Sequence, residues 1–88
     1  MMKIVEVQEV KGEGLLALIG KKVLIFCVNY IYTGKLVGVN DTFVLLEEPA
    51  IVYETGPYTT KEYKDAQKLH VNQWYVQRTA IESFGESK

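Results

Sequence analysis

The segment Lys21–Val28 constrains the fold more than any other part of the chain. Apolar side chains occupy alternate positions on both faces of a strand here, with Val23, Ile25 and Cys27 on one face and Leu24, Phe26 and Val28 on the other. A strand of this kind has to be covered on both sides. In a chain of 88 residues, which is the size of one domain, the interior of a closed barrel can cover one face. A short helix or a neighbouring subunit is then expected to cover the other.

Other segments of the chain also read as strands separated by turn residues. We predict them at 31–39, 43–53, 71–78 and 80–84, with a loosely alternating segment at 3–10. Gly34 and Gly38 lie inside one strand and Pro49 inside another. Glycine or proline within a strand marks a bend, a bulge or an edge, so the sheet is expected to curl.

Two segments have helical features. Residues 15–20 are aliphatic residues that end in a glycine, which predicts a helix of one or two turns. A polar insertion follows at about 54–69, where Thr59 and Glu62 have the spacing of a capping box. The sequence leaves two interpretations of 59–69 open, a short helix or the tip of a long hairpin.

These elements predict a mainly β fold. β-Branched and aromatic residues far outnumber leucine and alanine, as is typical of strands. We expect a single domain spanning 1–88, with a small, strongly bent, five-stranded SH3-like barrel at about 15–84 and a short N-terminal helix. The position of the helix before the barrel favours the SH3-like arrangement over the OB type.

Composition excludes several classes of function. The formal net charge is −1, which rules out a generally basic nucleic-acid coat and leaves room for a local basic patch. Cys27 is the single cysteine and His70 the single histidine, so we expect no disulfide framework, no metal site and no cofactor. No catalytic motif is present, and no apolar stretch reaches the ~20 residues that span a bilayer. We therefore expect a cytoplasmic protein that is not an enzyme and has no membrane partner.

A set of short motifs resembles the first motif of the Sm and Sm-like (LSm) proteins, which runs as a leading helix, Gly-Lys-x-Val-x-Val, Tyr-x-Gly-x-Leu and an Asp-containing turn. The matching segments are 20–25, 32–36 and the turn Asn40-Asp41. Residues 25–29 and 43–46 are also similar to bacterial Hfq, of the same superfamily. The resemblance is strongest over 15–53 and weaker over 71–84.

The resemblance implies a function as well as a fold. Proteins of this family join edge to edge into rings of six or seven subunits and bind single-stranded RNA near the pore. We therefore expect a homo-oligomeric ring with RNA as a partner. The positions that the resemblance assigns to RNA contacts are Asn40, Asp41, Thr42, Phe43, Gln77, Arg78 and Thr79.

The chain also departs from the family pattern. In an ungapped comparison, the asparagine with which Sm proteins read a base falls on Val44, and their aspartate falls on Asn40. The second motif, Ile-Arg-Gly in Sm proteins and Tyr-Lys-His in Hfq, falls on 77–79 and keeps its cation as Arg78.

Each candidate residue has an ordinary structural interpretation too. Residues 40–42 are typical turn formers, Phe43 suits a core, and Arg78 suits a solvated strand end. Cys27 suits a buried apolar position, and Trp74 and Tyr75 suit packing. Two alternatives to RNA binding follow. One is a ring or barrel that acts as a structural or protein-interaction module. The other is a monomeric peptide-binding barrel with a tyrosine-lined groove.

Overall fold

A single antiparallel sheet organises the chain, and the computed structural model describes it over residues 14–88. The elements in order are α1 (Gly14–Ala17), β1 (Lys22–Cys27), β2 (Ile31–Val39), β3 (Phe43–Glu54), β4 (Asp65–Lys68), β5 (Gln73–Gln77), a 3₁₀ turn (Arg78–Ala80) and β6 (Ile81–Glu86). The strand predicted at 3–10 lies outside the described residues. The mainly β fold with a short helix ahead of the barrel is confirmed.

The strand order is β4-β3-β2-β1-β6, and β5 also pairs with β3. The first half of β3 pairs with β5, from Phe43 opposite Gln77 onward, and its second half pairs with β4. β4 and β5 therefore form one interrupted strand along the same side of β3. The sheet has six strands rather than the predicted five, because β4 precedes the predicted fourth strand.

The polar insertion is a hairpin and not a helix. β3 continues to Glu54, the chain turns through residues 55–64, and β4 returns along β3. The capping-box pattern at Thr59 is overridden because residues 65–68 gain strand partners on β3. The hairpin therefore lies at the opposite end of β3 from the turn between β2 and β3.

The two glycines of β2 coincide with breaks in the pairing of β2 with β3, as predicted. One register shift lies between Thr33 and Lys35, around Gly34, and the other between Leu36 and Gly38. At Gly34 a Cβ atom would lie 2.9 Å from the carbonyl oxygen of Glu47, so the strands approach too closely there for a side chain. The bends curl the sheet around its core.

The core lies on one face of the curled sheet. Its buried members are Leu15, Val23, Ile25, Leu36, Val44, Leu46 and Val76. The helix contributes Leu15, so it covers the same face of β1 as the barrel interior does. On the other face of β1, Leu24 is only 5% exposed and Phe26 is half-buried, while Val28, directly after the strand, is 68% exposed. The cover of this second face therefore decreases along the strand.

Cys27 departs from the prediction of a buried position. It is half-buried at the edge of the core, at the place where the pairing of β1 with β6 shifts register between Phe26 and Cys27. Burial, and secondarily the charge of Glu82, still raise the pKa of its thiol above the usual value.

Candidate nucleic-acid interface

The structure brings the two predicted RNA-contacting segments together. Phe43 lies opposite Gln77 in the register of β3 and β5. One position further on, the backbone N–H of Arg78 donates to the carbonyl oxygen of Thr42 at 2.9 Å. The turn between β2 and β3 and the end of β5 therefore form one continuous surface, which we call the turn surface (residues 40–43 and 77–79).

Asn40 uses its side chain to shape the turn. Its Oδ1 atom accepts hydrogen bonds from the backbone N–H groups of Thr42 and Phe43, each at 2.8 Å. Its own N–H donates to the carbonyl oxygen of Phe43 at 3.0 Å. The oxygen of this amide thus has a structural role, as turn chemistry predicts. Only the NH₂ group of the side chain remains to bond to a ligand.

Arg78 connects the two segments of the turn surface. Its Nη1 atom donates to the carbonyl oxygen of Asn40 at 2.9 Å. Within residues 14–88 its guanidinium has no carboxylate within ion-pair distance. A guanidinium has five N–H donors and a planar face, so this one bond leaves most of its capacity for a ligand.

Phe43 is half-buried and makes an aromatic pair at the edge of the turn surface. Its ring centroid lies 4.8 Å from that of Tyr75 with an interplanar angle of 87°, an edge-to-face arrangement. Tyr75 is 57% exposed. This pair offers an aromatic surface, which suits the stacking of unpaired bases.

The sequence predicts a packing role for Tyr75, whereas the structure places its ring against Phe43, next to the turn surface. The sequence of β5 does indicate the direction of this side chain, since Tyr75 alternates with Trp74 and Val76. Val76 is buried and Trp74 packs against the core. Tyr75 therefore has to face the other way, with Phe43.

Val44 cannot serve as a base-reading position. Its side chain is fully buried at 0% exposure and lies opposite Val76. The ungapped comparison put the family's asparagine on this position, whereas the structure gives it to the core. Phe43 is the residue of β3 that reaches the surface here.

The remaining predicted residues surround this centre. Asp41, Thr42, Gln77 and Thr79 have exposed side chains, and Thr79 lies in the 3₁₀ turn. They supply hydroxyl, amide and carboxylate groups. Asp41 contributes a negative charge, so any attraction of this surface for an anionic group depends on Arg78.

A hollow of about 310 Å³ adjoins this surface. Its lining includes Cys27, Tyr30, Tyr32, Tyr75 and Gln77. Tyr30 and Tyr32 are tilted neighbours with ring centroids 6.2 Å apart. Burial is the largest cause of the raised pKa of the Tyr32 hydroxyl. The tyrosines thus line a concave surface.

Across residues 14–88 no group of three or more His, Cys, Asp or Glu side chains is placed to hold a metal ion. None of the helical turns in that part of the chain has the length and apolar character to cross a bilayer.

Comparison with solved structures gives a fold assignment. A heptameric archaeal Sm protein is similar over 84% of this chain and 96% of its own, with a TM-score of 0.65 and 17% sequence identity. A chain of the NatC complex bound to CoA is similar over 99% of this chain and 91% of its own, with a TM-score of 0.58 and 17% identity. No protein-family model and no curated protein matches the sequence. The resemblance to Sm proteins is therefore confirmed for the fold.

Proposed function

We propose that this Sm-fold chain binds single-stranded RNA at the turn surface, as a homo-oligomeric ring of six or seven subunits, and that it has no catalytic activity. The observation that supports RNA binding best is the position of Arg78. It joins the turn at Asn40 to the end of β5, the two segments that carry the aromatic pair of Phe43 and Tyr75.

This arrangement suits RNA more than duplex DNA. An unpaired base can stack on an aromatic ring, and each such contact is worth about 1–3 kcal/mol. The guanidinium of Arg78 can pair with the adjoining phosphate, while the exposed amide of Gln77 can bond to a base edge. A net charge of −1 makes binding depend on these local contacts and not on a general field.

The open edge of β5 supports assembly into a ring. Because Arg78 N–H bonds to Thr42, the alternation of an antiparallel ladder makes Tyr75 and Gln77 non-hydrogen-bonded partners of β3. Their backbone N–H and C=O groups therefore point away from β3. Among the described residues, β5 pairs with β3 alone, so this edge is available to another strand.

β6 has a complementary open edge. The N–H of Ser87 bonds to the carbonyl oxygen of Lys22 at 2.8 Å, so the same alternation turns the backbone groups of Phe84 outward. Phe84 is also 40% exposed. Pairing of β5 with β6 of the next subunit is head-to-tail, and such contacts generate a ring where the rotation from subunit to subunit closes. A ring would present several turn surfaces to one RNA strand and raise the total affinity.

The test is a titration of labelled oligo-U and oligo-A with the full chain, followed by fluorescence anisotropy. We expect binding that weakens steeply between about 50 mM and 200 mM salt. Phe43→Leu, which keeps an apolar side chain without a ring face, should weaken binding. Lys61→Ala, which removes an exposed charge from the hairpin, serves as the control. Wild-type protein that binds neither oligonucleotide at low salt would falsify the RNA proposal.

A second candidate function is protein interaction without RNA binding. The hollow lined by Tyr30, Tyr32 and Tyr75 favours it, since tyrosines are common where proteins dock. The similar chain from the NatC complex belongs to a multi-protein assembly, which fits the same idea. Replacing Tyr30 by Ala should leave oligonucleotide binding unchanged under the RNA proposal and abolish partner binding under this one.

A further inference from the structure

The loop of the β3–β4 hairpin holds a lysine side chain in a built site. The Nζ atom of Lys88 lies 2.7 Å from the carbonyl oxygen of Thr55 and 2.8 Å from that of Pro57. The same atom lies 5.2 Å from the ring centroid of Tyr58 and 5.1 Å from that of Tyr63. Two acceptors and two aromatic faces thus surround one ammonium group. We call these four groups the ammonium cradle.

The loop itself fixes the two carbonyl groups of the cradle. The oxygen of Pro57 also accepts the N–H of Thr60 at 3.2 Å and its hydroxyl at 2.9 Å. Gly56, between the two acceptors, has a φ of 69°, a left-handed conformation that glycine adopts readily. The carbonyl positions therefore follow from the turn and not from the presence of Lys88.

The aromatic side of the cradle is held in place as well. The hydroxyl of Tyr63 shares a hydrogen bond with the hydroxyl of Ser87. The backbone N–H of Ser87 in turn bonds to β1 through the carbonyl oxygen of Lys22. The Tyr63 ring is thereby fixed against the sheet, whereas Tyr58 is 61% exposed and open to an incoming ligand.

The chemistry of the cradle selects a primary ammonium group. Such a group has three N–H donors, of which two reach carbonyl oxygens here while the positive charge faces the rings. A quaternary ammonium group keeps the attraction to the rings but cannot donate hydrogen bonds. A planar guanidinium has a different donor geometry. A site that recognised positive charge alone would bind primary ammonium, quaternary ammonium and guanidinium groups equally well.

We propose that the hairpin loop is a binding site for primary alkylammonium ligands, and that Lys88 is a tethered occupant which such a ligand displaces. The ligand can be a lysine side chain of a partner protein or a free polyamine. The cradle follows the last residue of β3, whereas the turn surface adjoins the first. The two sites are therefore independent, and this proposal does not rest on RNA binding.

The experiment uses the full ¹⁵N-labelled chain and follows amide signals of the loop by NMR. Lys88→Ala opens the cradle, and Lys61→Ala is the control because it removes a hairpin charge without touching the site. The probes are Nα-acetyl-lysine amide, putrescine and tetramethylammonium at constant ionic strength. The first two separate a protein lysine from a polyamine as the source, and the third tests the role of the N–H donors.

In Lys88→Ala we expect saturable shifts of the Gly56, Tyr58 and Lys64 amides with a primary ammonium probe. Wild type and Lys61→Ala should need about tenfold more probe, because Lys88 occupies most of the sites. Tetramethylammonium should bind more weakly than either primary amine. Tighter binding of Nα-acetyl-lysine amide than of putrescine supports a partner lysine, and the reverse supports a polyamine.

Two results would overturn the proposal. One is the absence of saturable shifts in Lys88→Ala, and the other is equal affinity in wild type and Lys88→Ala. Wild-type protein provides a measurement that needs no variant, since a held ammonium group has slowly exchanging protons. A Lys88 ammonium signal that exchanges as fast as that of Lys61 would contradict occupancy of the cradle.

Discussion

The Nη1 atom of Arg78 donates a hydrogen bond to the carbonyl oxygen of Asn40 across 2.9 Å. This contact joins residues that are far apart in the sequence and ties the guanidinium to the turn that leads into Phe43. Arg78 therefore has two roles under the proposed function, since it organises the turn surface and supplies its positive charge. For each substitution of Arg78, both the stability of the fold and the affinity for oligonucleotides therefore have to be measured.

Arg78→Ala should weaken oligonucleotide binding by about 1–3 kcal/mol per bound site, because the stacking face and the charge are lost together. Lys61→Ala removes an exposed charge elsewhere and should have a much smaller effect. Arg78→Lys should restore only part of the affinity, since an ammonium group has no planar face. Fluorescence anisotropy gives the affinities, and thermal unfolding shows whether the fold is intact. Equal losses for Arg78→Ala and Lys61→Ala would assign binding to diffuse electrostatics.

Gly34→Ala should destabilise the fold by about 1–3 kcal/mol, because strands β2 and β3 leave no room for a methyl group. The new Cβ would lie 2.9 Å from the carbonyl oxygen of Glu47 and 3.3 Å from the Cβ of Leu46. Gly38→Ala is the matched control, since its nearest neighbour is the Leu45 Cβ at 3.5 Å, an ordinary contact. Urea unfolding of both variants measures the difference. Equal stability of the two variants would contradict the close approach at Gly34.

The bends of the sheet could be predicted from the sequence, because a glycine inside a strand marks a bend without any knowledge of the neighbouring strands. Gly34 and Gly38 both coincide with register shifts. The sequence does not decide between helix and hairpin at 59–69, because strand β4 depends on partners in β3 and a short polar segment has no periodicity of its own. The half-buried position of Cys27 coincides with a register shift between β1 and β6, and such a shift depends on strand pairing that the local pattern does not contain.

The candidate site was predictable in part. The resemblance to Sm proteins selected the two segments, and their pairing in the sheet brings Phe43 opposite Gln77. The ungapped comparison could not show that Val44 faces the core, because the direction of a side chain depends on where the strand begins. The aromatic contact of Tyr75 with Phe43 crosses between strands and depends on their register.

Tyr75→Pro should prevent assembly while leaving the subunit folded. Its backbone N–H points to the open edge of β5, so proline removes a donor that an adjoining subunit would use and spares the pairing with β3. Tyr75→Ala loses the ring but keeps the N–H, and should still assemble. Native mass spectrometry at micromolar concentration measures both. A wild-type chain that is only a monomer would refute the ring.

Cys27 should react slowly with thiol reagents, and its reaction should need a higher pH than that of a free cysteine. Burial, followed by the charge of Glu82, raises the pKa of its thiol, so the reactive thiolate forms only as the pH rises above the ordinary value. Glu82→Gln removes the nearby negative charge and should shift the pH–rate profile to lower pH. Labelling rates across a pH series measure this. An unchanged profile in Glu82→Gln would show that burial alone sets the pKa.

Asn40 offers the clearest separation of folding from binding. Asn40→Ala removes the acceptor of two backbone N–H bonds, those of Thr42 and Phe43, and should cost about 1–3 kcal/mol of stability. Asn40→Asp keeps an acceptor oxygen at the same place and should retain most of that stability. It also places a negative charge beside Arg78, so it should weaken oligonucleotide binding and make the remaining binding less sensitive to salt.

Asn40→Asp therefore separates the effect of the side chain on stability from its effect on binding. Urea unfolding should rank Asn40→Asp above Asn40→Ala, while anisotropy at low salt should rank Asn40→Asp below wild type. The reason is that the side-chain oxygen shapes the turn, whereas the charge around Arg78 governs attraction of phosphate. If Asn40→Asp folds normally and binds oligonucleotides as tightly as wild type does, the turn surface is not where RNA binds.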